Sequence, residues 1–149
     1  MNQFQLICSL PTYTTVDSAI RLPICGNYDY WTALIQYFLP KADTIEIHCW
    51  NDEIETIKDV EVLFEEKKYE ENLTIFRGEN DSVLTDYLLK EHLNRFGEFK
   101  WFTLNLYLNI ASVFHSGHWS TELYVPNATE GDISFIKSVM PAEAIFDLY

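Results

Sequence analysis

The chain has 149 residues, 48% of them hydrophobic and 15% aromatic, enough to bury one core without metal or disulfide and too apolar for disorder. Its net charge of −13, with a pI near 4.5, sets it against nucleic acid and anionic membrane surfaces and favours a basic protein partner. The plain alternative is that the charge only keeps the molecule dispersed.

The N-terminal stretch MNQFQLICSLP lacks a basic opening and a long apolar run, so no signal peptide is expected. No segment approaches the roughly 18 apolar residues of a membrane span. Cys8, Cys25 and Cys49 are odd in number and lack CxxC spacing, and they read as reduced, buried hydrophobes of a cytoplasmic protein. Length favours a single domain over residues 1–149.

Residues 3–10 read as a strand ended by Pro11, and 12–26 as a loop holding Pro23 and Gly26. Residues 28–39 form a predicted helix, because Trp31, Leu34, Ile35 and Phe38 recur at helical spacing, with Asn27 as cap and Pro40 as stop. Thr44–Trp50 reads as a strand with Ile45, Ile47 and Cys49 on one face and Glu46, His48 and Trp50 on the other. Residues 52–58 fit a helical turn or a loop, and 60–66 a strand or a helix. Residues 73–77 form a short strand with a turn at Gly78.

Residues 82–96 carry a helical pattern, capped by Asn80, Asp81 or Ser82 and closed by Gly97 in the left-handed position after the last turn. Residues 99–110 alternate as a strand. Phe102, Leu104, Leu106, Leu108 and Ile110 share one face, and Trp101, Thr103, Asn105, Tyr107 and Asn109 the other. Residues 113–125 return antiparallel with a bulge at Gly117, and 132–139 form a short helix stopped before Pro141. The tail adds a strand or docks. Strands mixed with helices, without a steady strand–helix alternation, predict an α+β fold: a mainly antiparallel sheet with two or three helices on one face.

Catalytic and metal motifs are thin. His115 and His118 are three apart, which in a strand sends them to opposite faces, and no third or fourth zinc ligand is fixed nearby, although Glu122 or Cys49 could be imagined. No GxSxG elbow, GxGxxG or GxxxxGK[ST] phosphate loop, or calcium-loop spacing occurs. No cofactor and no catalytic residue is therefore expected. A small enzyme using His115, His118 or Cys49 is the minor alternative.

The charge is concentrated. Between residues 43 and 86 lie fourteen acids and four bases, which carry −10 of the net −13. At its centre is DEIETIKDVEVLFEEKKYEE, residues 52–71, whose interior apolar residues mark it as folded rather than a disordered tail. Clustered like charge costs stability, and a dispersing role does not require it, so the segment is expected to face a partner. The candidate contact residues are Glu46, Trp50, Asp52, Glu53, Glu55, Asp59, Glu61, Glu65, Glu66, Tyr69, Glu70 and Glu71, the aromatics as anchors and the acids for steering. The strand face of Trp101, Asn105 and Tyr107 is the other candidate surface.

In composition and layout the whole chain resembles the bacterial immunity proteins of contact-dependent and polymorphic toxin systems. The resemblance implies a non-enzymatic inhibitor whose acidic surface occupies the basic cleft, or an adjoining exosite, of a cognate toxin, commonly a nuclease. The rival expectation is an acidic adaptor or DNA-mimic domain, which would bind several DNA-binding proteins.

Overall fold

A computed structural model describes residues 3–14 and 21–149. In chain order the elements are β1 (Phe4–Ser9), β2 (Thr12–Thr14), β3 (Arg21–Pro23), α1 (Tyr30–Phe38), β4 (Thr44–Trp50), α2 (Ile54–Glu61), β5 (Glu66–Glu70) and β6 (Leu73–Glu79). There follow α3 (Ser82–Lys90), β7 (Thr103–Leu108), β8 (Ala111–Gly117), β9 (Glu122–Ala128), α4 (Glu130–Val139) and β10 (Ile145–Leu148). Eight strands form one antiparallel sheet in the order β10-β1-β9-β8-β7-β4-β6-β5, and β2 and β3 pair separately. The fold is α+β, with four helices among the described residues where two or three were expected.

One face of the sheet is covered and the other is open. Alternation along the strands sends Leu6, Cys8, Ile45, Ile47, Leu104, Leu106, Phe114, Leu123 and Val125 into a single core, where Trp31, Leu34, Ile35, Val60, Leu84, Leu88 and Ile136 of the helices meet them. Each large side chain buried there contributes about 1.5–3 kcal/mol. Trp31 is the hub. It packs edge-on against Phe99 and Phe114, lies 6.0 Å from Trp101, and donates its indole N–H to Leu88 O at 2.9 Å. Thr129 and Asp132 close a capping box at the start of α4.

Several expectations give way to local chemistry. Part of the expected 12–26 loop pairs as β2 and β3, and its positions 15–20 lie outside the described residues. Asn27 does not cap α1 directly; its side chain accepts the N–H of Asp29, which occupies the cap position. The stretch 60–66 is neither one strand nor one helix, because α2 ends at Glu61 and β5 begins at Glu66. The strand β6 runs through Gly78 without turning, since Phe64 lies over that glycine and fills the space a side chain would take.

The helix α3 is capped by Asp81, which accepts the Leu84 N–H, and it stops at Lys90 rather than Phe96. Asn94 takes over the backbone beyond it, accepting the N–H groups of Phe96 and Glu98. Gly97, at φ 78°, therefore closes a turn onto Asn94 and not a helix, and Phe96 is left 71% exposed. The strand β7 starts at Thr103, not at 99. Phe99 and Trp101 both enter the core while Phe102 goes to the open side, so the expected face is out of register and Trp101 is fully buried. The irregularity opposite β7 falls at Val113, which is skipped in the pairing, rather than at Gly117. Cys8 and Cys49 are buried as expected, whereas Cys25 is half-buried on a turn.

Candidate functional site

The open face carries a polar row across the whole sheet. Cross-strand register aligns Glu66, Arg77, Glu46, Asn105, His115, Tyr124, Ile7 and Asp147, one residue from each strand. Glu46 is its centre and only 8% exposed. Its Oε1 lies 2.7 Å from His48 Nε2 and accepts from Asn105 Nδ2 at 3.3 Å, while Oε2 accepts from Arg77 at 3.1 Å. The Tyr107 hydroxyl stands 3.5 Å from Oε1. The network continues through Asn105 Oδ1 to His115 Nδ1 at 2.6 Å.

The His48 bond holds the Glu46 carboxyl below its usual range against the opposing effect of burial, with Asn105 and the charge of Arg77 helping. Burial, and the neighbouring His48 and His118, push His115 down and keep it neutral more readily. Beside this centre, toward β5, lies a depression of about 190 Å³ lined by Glu46, Glu66, Lys68, Ile75 and Arg77.

The acidic segment is ordered and turned outward. It forms α2, the following turn and the sheet-edge strand β5, all five residues of which are exposed. Asp59 pairs with Lys100, Glu61 with Lys67 at 3.4 Å, and Glu70 with Lys68 at 3.2 Å. Asp52, Glu55, Glu65, Glu66 and Glu71 are exposed and make no ion pair among the described residues. Tyr69 stands 68% exposed on β5. Glu46, Trp50 and Glu53 sit apart from the outward acids, buried or half-buried on the open face.

Where α2 begins, the open face ends in an aromatic patch. Phe102 lies 5.0 Å from Trp50, 4.9 Å from Trp119 and 5.6 Å from His118. Glu53 ties the patch together, accepting the Trp50 N–H at 2.9 Å and the Trp119 indole N–H at 3.2 Å. Burial raises the Glu53 pKa in spite of those bonds. The β8–β9 turn that presents Trp119 is strained: His118, Trp119 and Ser120 have φ of 48°, 52° and 69° in succession. Each left-handed residue without glycine costs on the order of 1 kcal/mol. The surroundings hold the turn in place. The Tyr30 hydroxyl donates to Ser120 O at 2.6 Å, the Trp119 N–H to Phe102 O at 3.1 Å, and the Thr121 hydroxyl to His118 O at 2.8 Å.

The residues considered for catalysis are not assembled. Cys49 is buried on the core face of β4, where desolvation raises its thiol pKa, and His118 pairs loosely with Glu122 at 3.6 Å. Among the described residues no group of three His, Cys, Asp or Glu is placed to hold a metal ion, and no helix is long and apolar enough to cross a membrane. Of the alternative strand face, Asn105 and Tyr107 remain on the open side and Trp101 does not. Sequence reasoning missed Phe102, Trp119 and Arg77 as partners of this face. Alternation on β4 already put His48 beside Glu46, whereas Trp119 depends on a turn that its sequence does not announce.

No family model, curated protein or solved structure matches the chain.

Proposed function

We propose that the protein is a non-enzymatic inhibitor of the immunity-protein class that works in the cytoplasm by binding a cognate basic toxin. A nuclease domain is the partner the charge fits best, because a cleft that holds a phosphate backbone is itself basic. The observation that carries this reading is the outward placement of Asp52, Glu55, Glu65, Glu66 and Glu71 on α2, its following turn and β5, with no lysine or arginine of the described chain paired to them. Such a surface steers a basic partner and sets its orientation.

The test is association kinetics with the basic protein that a pull-down with this chain recovers from its native cells. Changing Glu65, Glu66, Glu70 and Glu71 together to Lys should slow association at low salt by roughly tenfold or more while leaving the fold intact. An unchanged on-rate rejects the surface.

A second reading, a small hydrolytic enzyme, is favoured by one observation: the Glu46–His48 pair beside the depression that Arg77 and Lys68 line. It requires an activity that His48→Ala abolishes with folding intact. Full inhibition of the toxin by His48→Ala decides for the first reading.

A further inference from the structure

We propose that the Trp50–Phe102–Trp119 patch is the anchor of the partner-binding surface and takes an arginine side chain of the basic partner on its rings, beside the Glu53 carboxylate. This rests on the inhibitor reading above and names where its specific contact is made.

Three independent features of the patch converge. The first is composition. Aromatic faces next to a carboxylate are the chemistry that recognises an organic cation, and a planar guanidinium stacks on indole better than an ammonium does. Glu53 lies against both tryptophans, held by the Trp50 N–H and the Trp119 indole N–H, and its burial raises the cost of leaving it charged and uncompensated. An incoming guanidinium relieves that cost.

The second is that the chain supplies no cation of its own here. Among the described residues, every lysine or arginine found over an aromatic ring lies over another one: Arg77 over Tyr107, Arg95 over Phe96 and Lys100 over Tyr87 are examples. The patch is bordered instead by acids. Asp52 precedes Glu53, and Glu122 pairs with His118.

The third is strain. A β8–β9 turn built of glycine or asparagine would reverse the chain without the penalty of three successive left-handed residues. This turn spends that energy to lay Trp119 beside Phe102 with its indole N–H on Glu53. Strain held in place by surrounding bonds is a mark of a binding or catalytic feature. The patch also adjoins the start of α2, so one partner can meet the anchor and the acidic segment together.

The experiment is an NMR titration of the full chain with indole nitrogens labelled. The probes are an alternating glycine–arginine nonapeptide and its glycine–lysine counterpart. The Trp50 and Trp119 indole signals should shift saturably with the arginine peptide and those of Trp31 and Trp101 should stay fixed. The arginine peptide should bind roughly threefold or more tightly than the lysine peptide, and Trp119→Leu should weaken it about tenfold. The wild-type indole shifts need no variant, so misfolding of Trp119→Leu does not blunt the test. Stationary Trp50 and Trp119 signals, with shifts confined to backbone amides of α2 and β5, overturn the anchor and leave the acidic surface standing. Equal affinity for the two peptides overturns the choice of guanidinium. No shift anywhere with either peptide overturns both readings.

Discussion

Glu46 and His48 stand two residues apart on one face of β4, with Glu46 Oε1 2.7 Å from His48 Nε2. Because that bond depresses the Glu46 pKa from its ordinary value of 4.5, its contribution to stability is complete above that pH. It is lost as the pH falls through the lower folded-state value. Urea unfolding should therefore show wild type weakening below pH 4.5 more than Glu46→Gln does. At pH 7, Glu46→Ala should cost roughly 2 kcal/mol, because Arg77 and Asn105 lose their acceptor together. Burial lowers His92 and His115 from 6.5, so the same titration should show an earlier loss beginning just below that pH.

The two-residue turn between β7 and β8 places Asn109 at φ 48° and Ile110 at φ 66°, with Ile110 89% exposed. A β-branched residue is poorly suited to that conformation, and Asn-Gly is the preferred sequence for such a hairpin. Ile110→Gly should stabilise the fold by about 1 kcal/mol and raise the Tm by about 3 °C. Calorimetry of the variant measures it directly.

Gly78 is fixed by a neighbour and not by its own backbone. A Cβ there would meet Phe64 Cδ1 at 3.0 Å, and Phe64 is itself buried. Gly78→Val should displace that ring and destabilise by about 1–3 kcal/mol. Gly97 faces open space but carries φ 78°, so Gly97→Ala should lose stability through strain with no change in packing. Chemical denaturation of both variants, with near-ultraviolet dichroism for the aromatic environment, separates the two causes.

The three thiols should divide by burial. Burial pushes the Cys8 thiol up to about 12 and raises that of Cys49 as well, while Cys25 lies half-buried on its turn. A thiol-reactive dye should label one cysteine quickly in the native protein and three after unfolding. Protection of the fast site in Cys25→Ser confirms which it is.

Much of the fold was legible because its elements follow period. The alternation of Thr44–Trp50 and the helical spacing around Trp31 each gave the right element with the right face inward. Errors came where a side chain competes with the backbone ladder or where a single residue breaks the alternation. The helical pattern runs on to Phe96, but α3 stops at Lys90 and Asn94 holds the turn beyond it, while the irregular stretch before Thr103 sends both Phe99 and Trp101 inward. The candidate site was half legible. Charge located α2 and β5, but pairing across the sheet, which local pattern does not encode, brought Arg77 and Asn105 to Glu46 and Phe102 to Trp50.

The strand β5 also has a bearing on how these molecules treat one another. Among the described residues it is the last strand of the sheet, and its outer rim faces solvent under the field of a strongly anionic molecule, which opposes hydrogen bonding by a second copy. Near pH 4.5, where the overall charge vanishes, that opposition disappears, and with β5 at one edge of the sheet and β10 at the other, copies can add edge to edge into ribbons. A concentrated sample left at that acidity should grow into fibrous aggregates that the same sample at neutral pH does not form.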